Sequence, residues 1–200
     1  VVNVDSVLCN GDATGLIEVQ GTGGTPGYQY NLNAGAQQSS GLFNSLAAAN
    51  YTIRVTDSNG CFVNQVVPVY EPSPLNLAVN LIDSADCAGS TDGRITVAAS
   101  GGINPYQYQI DTNAAQPSGN FPGLGAGTYT VVTQDVNGCT DTVVPTVLEP
   151  APLALALNTD SVNCQGGADG IIFSFPSGGI SPYRYSMDGV TYQGGSGFQN

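Results

Sequence analysis

The pentapeptide Asp57-Ser58-Asn59-Gly60-Cys61 returns as Asp135-Val136-Asn137-Gly138-Cys139, 78 positions later. Other residues keep the same step. Cys9, Cys87 and Cys164 are 78 and 77 positions apart, and the series Tyr28, Tyr106, Tyr183 and Phe43, Phe121, Phe198 follow them. The segment EPSPL at residues 71–75 answers to EPAPL at residues 149–153. A chain written this way must fold as copies of one unit. The repeats run over residues 1–72, 73–150 and 151–200, the third breaking off just after Phe198.

Within each copy the apolar residues fall in short runs rich in Val, Ile, Thr and Tyr, such as GLIEV, YQYNL and NYTIRV. Gly, Pro and Asn bound these runs, and Gly (27) and Pro (12) are frequent enough to supply many turns. No window sustains a helical apolar period. This is the pattern of strands joined by turns. It predicts an all-β chain of tandem immunoglobulin-like β-sandwich repeats, each of about 78 residues, arranged end to end. The Pro-rich junctions, with Pro72 and Pro74 fixing φ, predict short and stiff connections.

The Asn-Gly pair accepts positive φ at both central positions of a tight hairpin. It predicts a two-residue turn joining a strand over residues 51–56 to one over Phe62–Val69. The second cysteine of a copy then opens the last strand, and the first cysteine closes the first strand. With first and last strands side by side, the expected disulfides are Cys9–Cys61 and Cys87–Cys139, each spanning 52 positions. Cys164 is expected to be unpaired within residues 151–200, its partner falling near position 216. Closing such a loop stabilises a small domain by roughly 4 kcal/mol in the chain-entropy model. Zinc is the rival use of cysteine, but it needs close cysteine pairs, usually with His, and the chain has no His. Disulfides imply an extracellular location.

Several residues invite a functional reading. Tyr51 and Tyr129 follow a Leu and a few small residues, the setting of a tyrosine corner, in which the phenol bonds nearby backbone. The pairs Tyr28/Tyr30, Tyr106/Tyr108 and Tyr183/Tyr185 either fill a core or stack on sugar rings. Burial is the expectation, because core positions must repeat if the fold repeats. Asp5, Asp83 and Asp160, with Glu71 and Glu149 at the junctions, are oxygen ligands that could hold Ca2+. No dense Asp-x-Asp-x-Asp loop accompanies them, so no cofactor is expected. Without His or Lys, catalysis would fall to carboxylate pairs such as Asp83/Asp86 or Asp135/Asp141. A repeated small sandwich offers these little cleft, and no enzymatic activity is expected.

The whole pattern resembles the SprB repeat. It comprises Cys-x-Gly-x3-Gly, Gly-Gly-x2-(Pro or Gly)-Tyr-x-Tyr, Leu-x-(Ala or Gly)-x2-Tyr-Thr, Asp-x-Asn-Gly-Cys and Glu-Pro-x-Pro-Leu. The resemblance covers two full copies and a truncated third. That family builds very long cell-surface adhesins of Bacteroidota, including the mobile gliding adhesin. The resemblance therefore implies export by type IX secretion, display on the bacterial cell surface, and a part in adhesion or gliding motility. It implies no ligand-binding residue.

Charge narrows the partners. The net charge is -12, with Arg54, Arg94 and Arg184 as the cationic side chains. Such a chain repels nucleic-acid phosphates and anionic lipid. No run reaches the ~18 apolar residues of a membrane helix, so no direct membrane insertion is expected. The chain begins in a strand-like run, VVNV, without the features of a signal peptide, and reads as a mature chain or a piece of a longer one. The expected partners are neighbouring repeats of the same chain. Two alternatives stand beside this stalk: a module that binds surface glycans, and a subunit that assembles laterally with like chains into a filament or sheath.

Overall fold

In residues 1–72 burial alternates with the strand pleat at residues 15–18 and 67–69, where Gly15, Ile17, Val67 and Val69 are buried and the residues between them are less so. The computed structural model describes residues 1–199, and all regular structure among them is strand. Six strands form from the first repeat: β1 (Asn3–Asp5), β2 (Gly15–Glu18), β3 (Gln29–Leu32), β4 (Leu42–Leu46), β5 (Ala49–Thr56) and β6 (Phe62–Val69). They make two antiparallel sheets, ordered β1-β2-β4 and β3-β5-β6. Val7, Ile17, Val19, Phe43 and Leu46 on one side meet Tyr30, Ile53, Val67 and Val69 on the other in a single interior. Ile17 and Ile53 are 0% and 2% exposed. Each such burial contributes roughly 1.5–3 kcal/mol. First, second and fourth strands facing third, fifth and sixth is the strand order of an immunoglobulin-like sandwich.

Residues 73–150 repeat this order. Their strands are β7 (Asn76–Asp83), β8 (Gly93–Ser100), β9 (Gln107–Ile110), β10 (Asn120–Leu124), β11 (Gly127–Thr128), β12 (Val131–Gln134), β13 (Thr140–Val143) and β14 (Thr146–Val147). The sheets are ordered β7-β8-β10 and β9-β12-β13, with β11 paired to β14. The long β5–β6 ribbon of the first repeat is thus interrupted in the second. Proline position accounts for the break. Pro68 lies opposite Asn50 in the unbroken ribbon, whereas Pro145 lies opposite Tyr129. The Tyr129 N–H donates to the Pro145 carbonyl at 2.9 Å, but Pro145 has no N–H to return the bond.

From residues 151–199 come β15 (Ala154–Asp160), β16 (Ile171–Ser177) and β17 (Gly197–Gln199), ordered β15-β16-β17. This is the first sheet of the repeat once more. The chain divides into two compact units. One comprises Val1–Ala78, Ala98–Gly119 and Val131–Val143, and the other Val79–Val97, Asn120–Thr130 and Val144–Asn200. Residues 73–150 contribute to both.

The hairpin turn differs from the two-residue form that the sequence suggests. Positive φ occurs at Gly60 (84°) and Gly138 (87°), and not at the preceding Asn59 and Asn137. The Gly60 N–H donates to the Asp57 carbonyl at 3.0 Å, and the Asp57 N–H to the Cys61 carbonyl at 2.9 Å. This is a three-residue hairpin, a tight turn followed by a left-handed glycine. It spares Asn the strain of a left-handed backbone.

Candidate functional site at the cysteine-bearing turns

Each hairpin turn is organised by the aspartate that opens it. The Asp57 carboxylate accepts the N–H groups of Thr25 (3.1 Å), Asn59 (3.0 Å) and Cys61 (2.8 Å). Asp135 accepts those of Ile103, Asn137 and Cys139, each at 2.9 Å. One carboxylate therefore ties the hairpin to the Gly-Gly loop of its own repeat. The Thr25 N–H, offset by some desolvation and helped by the N–H groups of Cys61, Asn59 and Gly60, holds the Asp57 carboxyl below its ordinary value. The Gly-Gly loop has to be glycine here. Gly24 and Gly102 have φ of 63° and 53°, and a Cβ on either would come within 2.7 Å of the aspartate oxygen.

The first cysteine of each repeat sits in a turn of its own. The N–H groups of Asp12, Ser90 and Gly167 donate to the carbonyls of Cys9 (3.1 Å), Cys87 (3.1 Å) and Cys164 (2.9 Å). A glycine two residues after the cysteine takes positive φ in all three: Gly11 at 81°, Gly89 at 76° and Gly166 at 79°. Glu71 accepts the Gly11 N–H at 2.7 Å, and Glu149 accepts that of Gly89 at 2.6 Å. The Asn10 amide donates to the Pro72 carbonyl at 3.0 Å. The junction that follows is fastened as well, with the Gly102 N–H donating to the Ser73 carbonyl and the Leu77 N–H to Asp141. These bonds stand beside the two prolines at the junction.

The expected pairing of cysteines does not form. Cys9 is bonded to Cys139, with their Cα atoms 5.6 Å apart and 130 positions between them. Cys61, Cys87 and Cys164 are free and exposed. Neither Cys9–Cys61 nor Cys87–Cys139 exists, and the reason is strand direction. Val7 donates to the Tyr70 carbonyl and Asn10 reaches Pro72, so Cys9 lies where β6 ends. Cys61 lies where β6 begins. Eight residues of strand at about 3.3 Å each put roughly 26 Å between these ends, well beyond the reach of a disulfide. A repeat therefore carries one cysteine at each end. The hairpin of residues 135–139 is seated beside Leu8 and Cys9, where the Asn137 amide donates to the Leu8 carbonyl at 3.0 Å. Asn59 makes a different bond, to the Thr25 hydroxyl within its own repeat at 2.8 Å.

The candidate tyrosines are engaged by bonds within their own repeats. The Tyr51 and Tyr129 hydroxyls donate to the carbonyls of Ala47 (3.0 Å) and Gly125 (2.9 Å), the tyrosine-corner bond. Tyr30 and Tyr108 are buried, and their hydroxyls accept the N–H groups of Gly21 and Ala99. Tyr28, Tyr106 and Tyr183 are half-buried and donate to the carbonyls of Gly23, Gly101 and Gly178 at 2.6, 2.5 and 2.6 Å. Tyr185 forms a single β-bridge with Gln193, as Tyr30 does with Gln38 and Tyr108 with Gln116.

The carboxylates are not gathered. Among the described residues no three of His, Cys, Asp and Glu converge as a metal site would require. Asp5 accepts from Asn3, and Asp83 pairs with Arg94 at 2.5 Å on exposed surface. Asp160 closes β15. In the proposed acid pairs, the Asp86 N–H donates to Asp92 while Asp83 is engaged by Arg94. Asp135 holds its hairpin, and Asp141 accepts the N–H groups of Leu77 and Thr142.

The model of the SprB repeat matches residues 1–37 and 82–115. These two segments contain Cys9, the Gly-Gly turn and Tyr30 of the first repeat, and Cys87, Gly101-Gly102 and Tyr108 of the second. No curated protein is similar in sequence. Among solved structures, the three N-terminal domains of the bacteriophage RB49 Highly Immunogenic Outer Capsid protein (Hoc) align with 90% of this chain and 68% of their own, at 12% identity and a TM-score of 0.47.

Proposed function

We propose that the chain, two segments of which match the SprB repeat, is a structural segment of an extracellular surface protein, its repeats forming a stalk. The observation that carries this reading is the Cys9–Cys139 disulfide, which joins one repeat to the next covalently. A disulfide persists in an oxidising compartment, which favours an extracellular location. A bond between repeats limits how far pulling can separate them. The bonded junction at residues 71–77 works in the same direction. The finer reading is a bacterial cell-surface adhesin or filament, exported by type IX secretion, that serves attachment or gliding. In it this segment spans distance and bears load, with neighbouring repeats as its partners and with neither catalysis nor a resident cofactor.

Two measurements test the proposal. Protease applied to intact cells should digest the segment without lysis, and protection until the cells are broken would contradict surface display. Single-molecule pulling of the chain should show that the disulfide withholds part of the contour. A loop of 130 residues at about 3.5 Å each corresponds to roughly 45 nm, which should be released only after a reductant is added. Equal extension with and without reductant would remove the load-bearing role.

A further inference from the structure

We infer that the cysteines follow one offset rule: the first cysteine of a repeat bonds the hairpin cysteine of the next repeat. Cys61, Cys87 and Cys164 are then sites for disulfides to adjoining copies of the same unit. Cys61 takes the first cysteine of a repeat on its N-terminal side. Cys87 takes the hairpin cysteine of the third repeat once that repeat is complete, and Cys164 takes that of a fourth.

The rule rests on equivalence at both ends of the bond. Cys9 and Cys139 show the linkage formed. Cys87 stands in the same turn as Cys9, with the same N–H bond to the cysteine carbonyl, the same left-handed glycine and the same glutamate on that glycine. Cys164 shares the carbonyl bond and the left-handed glycine. Cys61 stands in the same aspartate-held hairpin as Cys139. All three thiols are exposed, as a bond to an adjoining module requires. Pairing within a repeat is closed to them, because the two cysteines lie at opposite ends of the last strand.

Each bond joins two thiol sulfurs and releases two protons and two electrons. The electrons pass to a disulfide-bearing oxidant, whose own disulfide is reduced to two thiols. In the cell this is a dithiol–disulfide oxidoreductase, and in the test below it is oxidised glutathione.

The test lengthens the full chain. In the repeat register Asn200 corresponds to Gly123, so a copy of residues 124–150 added after Asn200 completes the third repeat and supplies its hairpin cysteine. After oxidation, non-reducing peptide mapping should recover Cys87 linked to the added cysteine. Cys9–Cys139 should be retained, with Cys61 and Cys164 as thiols. In a Cys87→Ser version of the lengthened chain, the thiol of the added cysteine should reappear. The rule is overturned if the added cysteine is bonded to Cys164 or to a second chain, or stays a thiol while Cys9–Cys139 is present. Should the lengthened chain lose Cys9–Cys139, a chain extended at the other end decides. With a copy of residues 1–78 ahead of Val1, Cys61 should be found on the first cysteine of that copy, and any other state of Cys61 overturns the rule.

Discussion

The hairpin turns at residues 57–61 and 135–139 are built alike and used differently. Each has an aspartate accepting three backbone N–H groups, a left-handed glycine and a cysteine immediately before the following strand. Yet Cys139 is bonded to Cys9 while Cys61 is free, and Asn137 reaches across to Leu8 while Asn59 stays within its repeat. The local residues therefore specify the turn, and the neighbour of the turn decides what its cysteine and asparagine do. One short motif can form the end of a module and the connector to the next.

This contrast can be broken in several places. The largest effect is expected from Cys139→Ser or Cys9→Ser. Opening a loop of 130 residues costs up to about 5 kcal/mol in the chain-entropy model, read as the shift in chemical-denaturation midpoint. Cys61→Ser, at an exposed thiol, should stay within about 0.5 kcal/mol. Equal losses at Cys61 and Cys139 would erase the distinction. Next comes Gly102→Ala, which forces a Cβ toward the Asp135 oxygen at a φ of 53°. Such a left-handed residue costs about 1–3 kcal/mol, and Gly24→Ala should match it because Asp57 stands in the same place.

A smaller effect separates the asparagines. Asn137→Ala and Asn59→Ala each delete one exposed hydrogen bond, worth about 1 kcal/mol. Only Asn137→Ala should speed reduction of Cys9–Cys139 by a fixed concentration of dithiothreitol. The smallest effect is a titration. The Asp57 carboxyl is held below its ordinary 3.8, chiefly by the Thr25 N–H. A carboxyl lowered on folding contributes stability that is present above its ordinary value and is lost as pH falls through the lower folded value. A carboxyl 13C titration should place the Asp57 midpoint below 3.8, and Asn replacement of Asp57 should remove that acid-range dependence. A midpoint at or above 3.8 would mean that its three N–H bonds are not held in solution.

Much of the architecture is legible in the residues because a repeat states its rules more than once. The strand Phe62–Val69, the tyrosine corners at Tyr51 and Tyr129, and the burial of Tyr30 and Tyr108 all follow from alternation and turn chemistry. The hairpin type was harder to read. Asn-Gly suits a two-residue turn, but Asp57 offers three N–H groups a partner and moves the positive φ to glycine alone. The interruption of the ribbon was visible as a proline displaced by one place between repeats, from a position whose N–H is unused to one whose N–H the ladder needs. The Cys9–Cys139 disulfide is not legible in cysteine spacing, for a different reason. Spacing pairs the cysteines within a copy, but the direction of the first and last strands sets them at opposite ends. The signal that could have found this was the topology itself. In the order β1-β2-β4 against β3-β5-β6, the ends of β1 and β6 fall together, and the start of β6 does not.

The most direct test of the central claim is mass spectrometry of non-reduced peptides from the oxidised 200-residue chain. A peptide pair joining Cys9 to Cys139, with Cys61, Cys87 and Cys164 alkylated as thiols, is the predicted result. Recovery of Cys9 joined to Cys61 and Cys87 joined to Cys139 would contradict it, and would return each repeat to a covalently independent module.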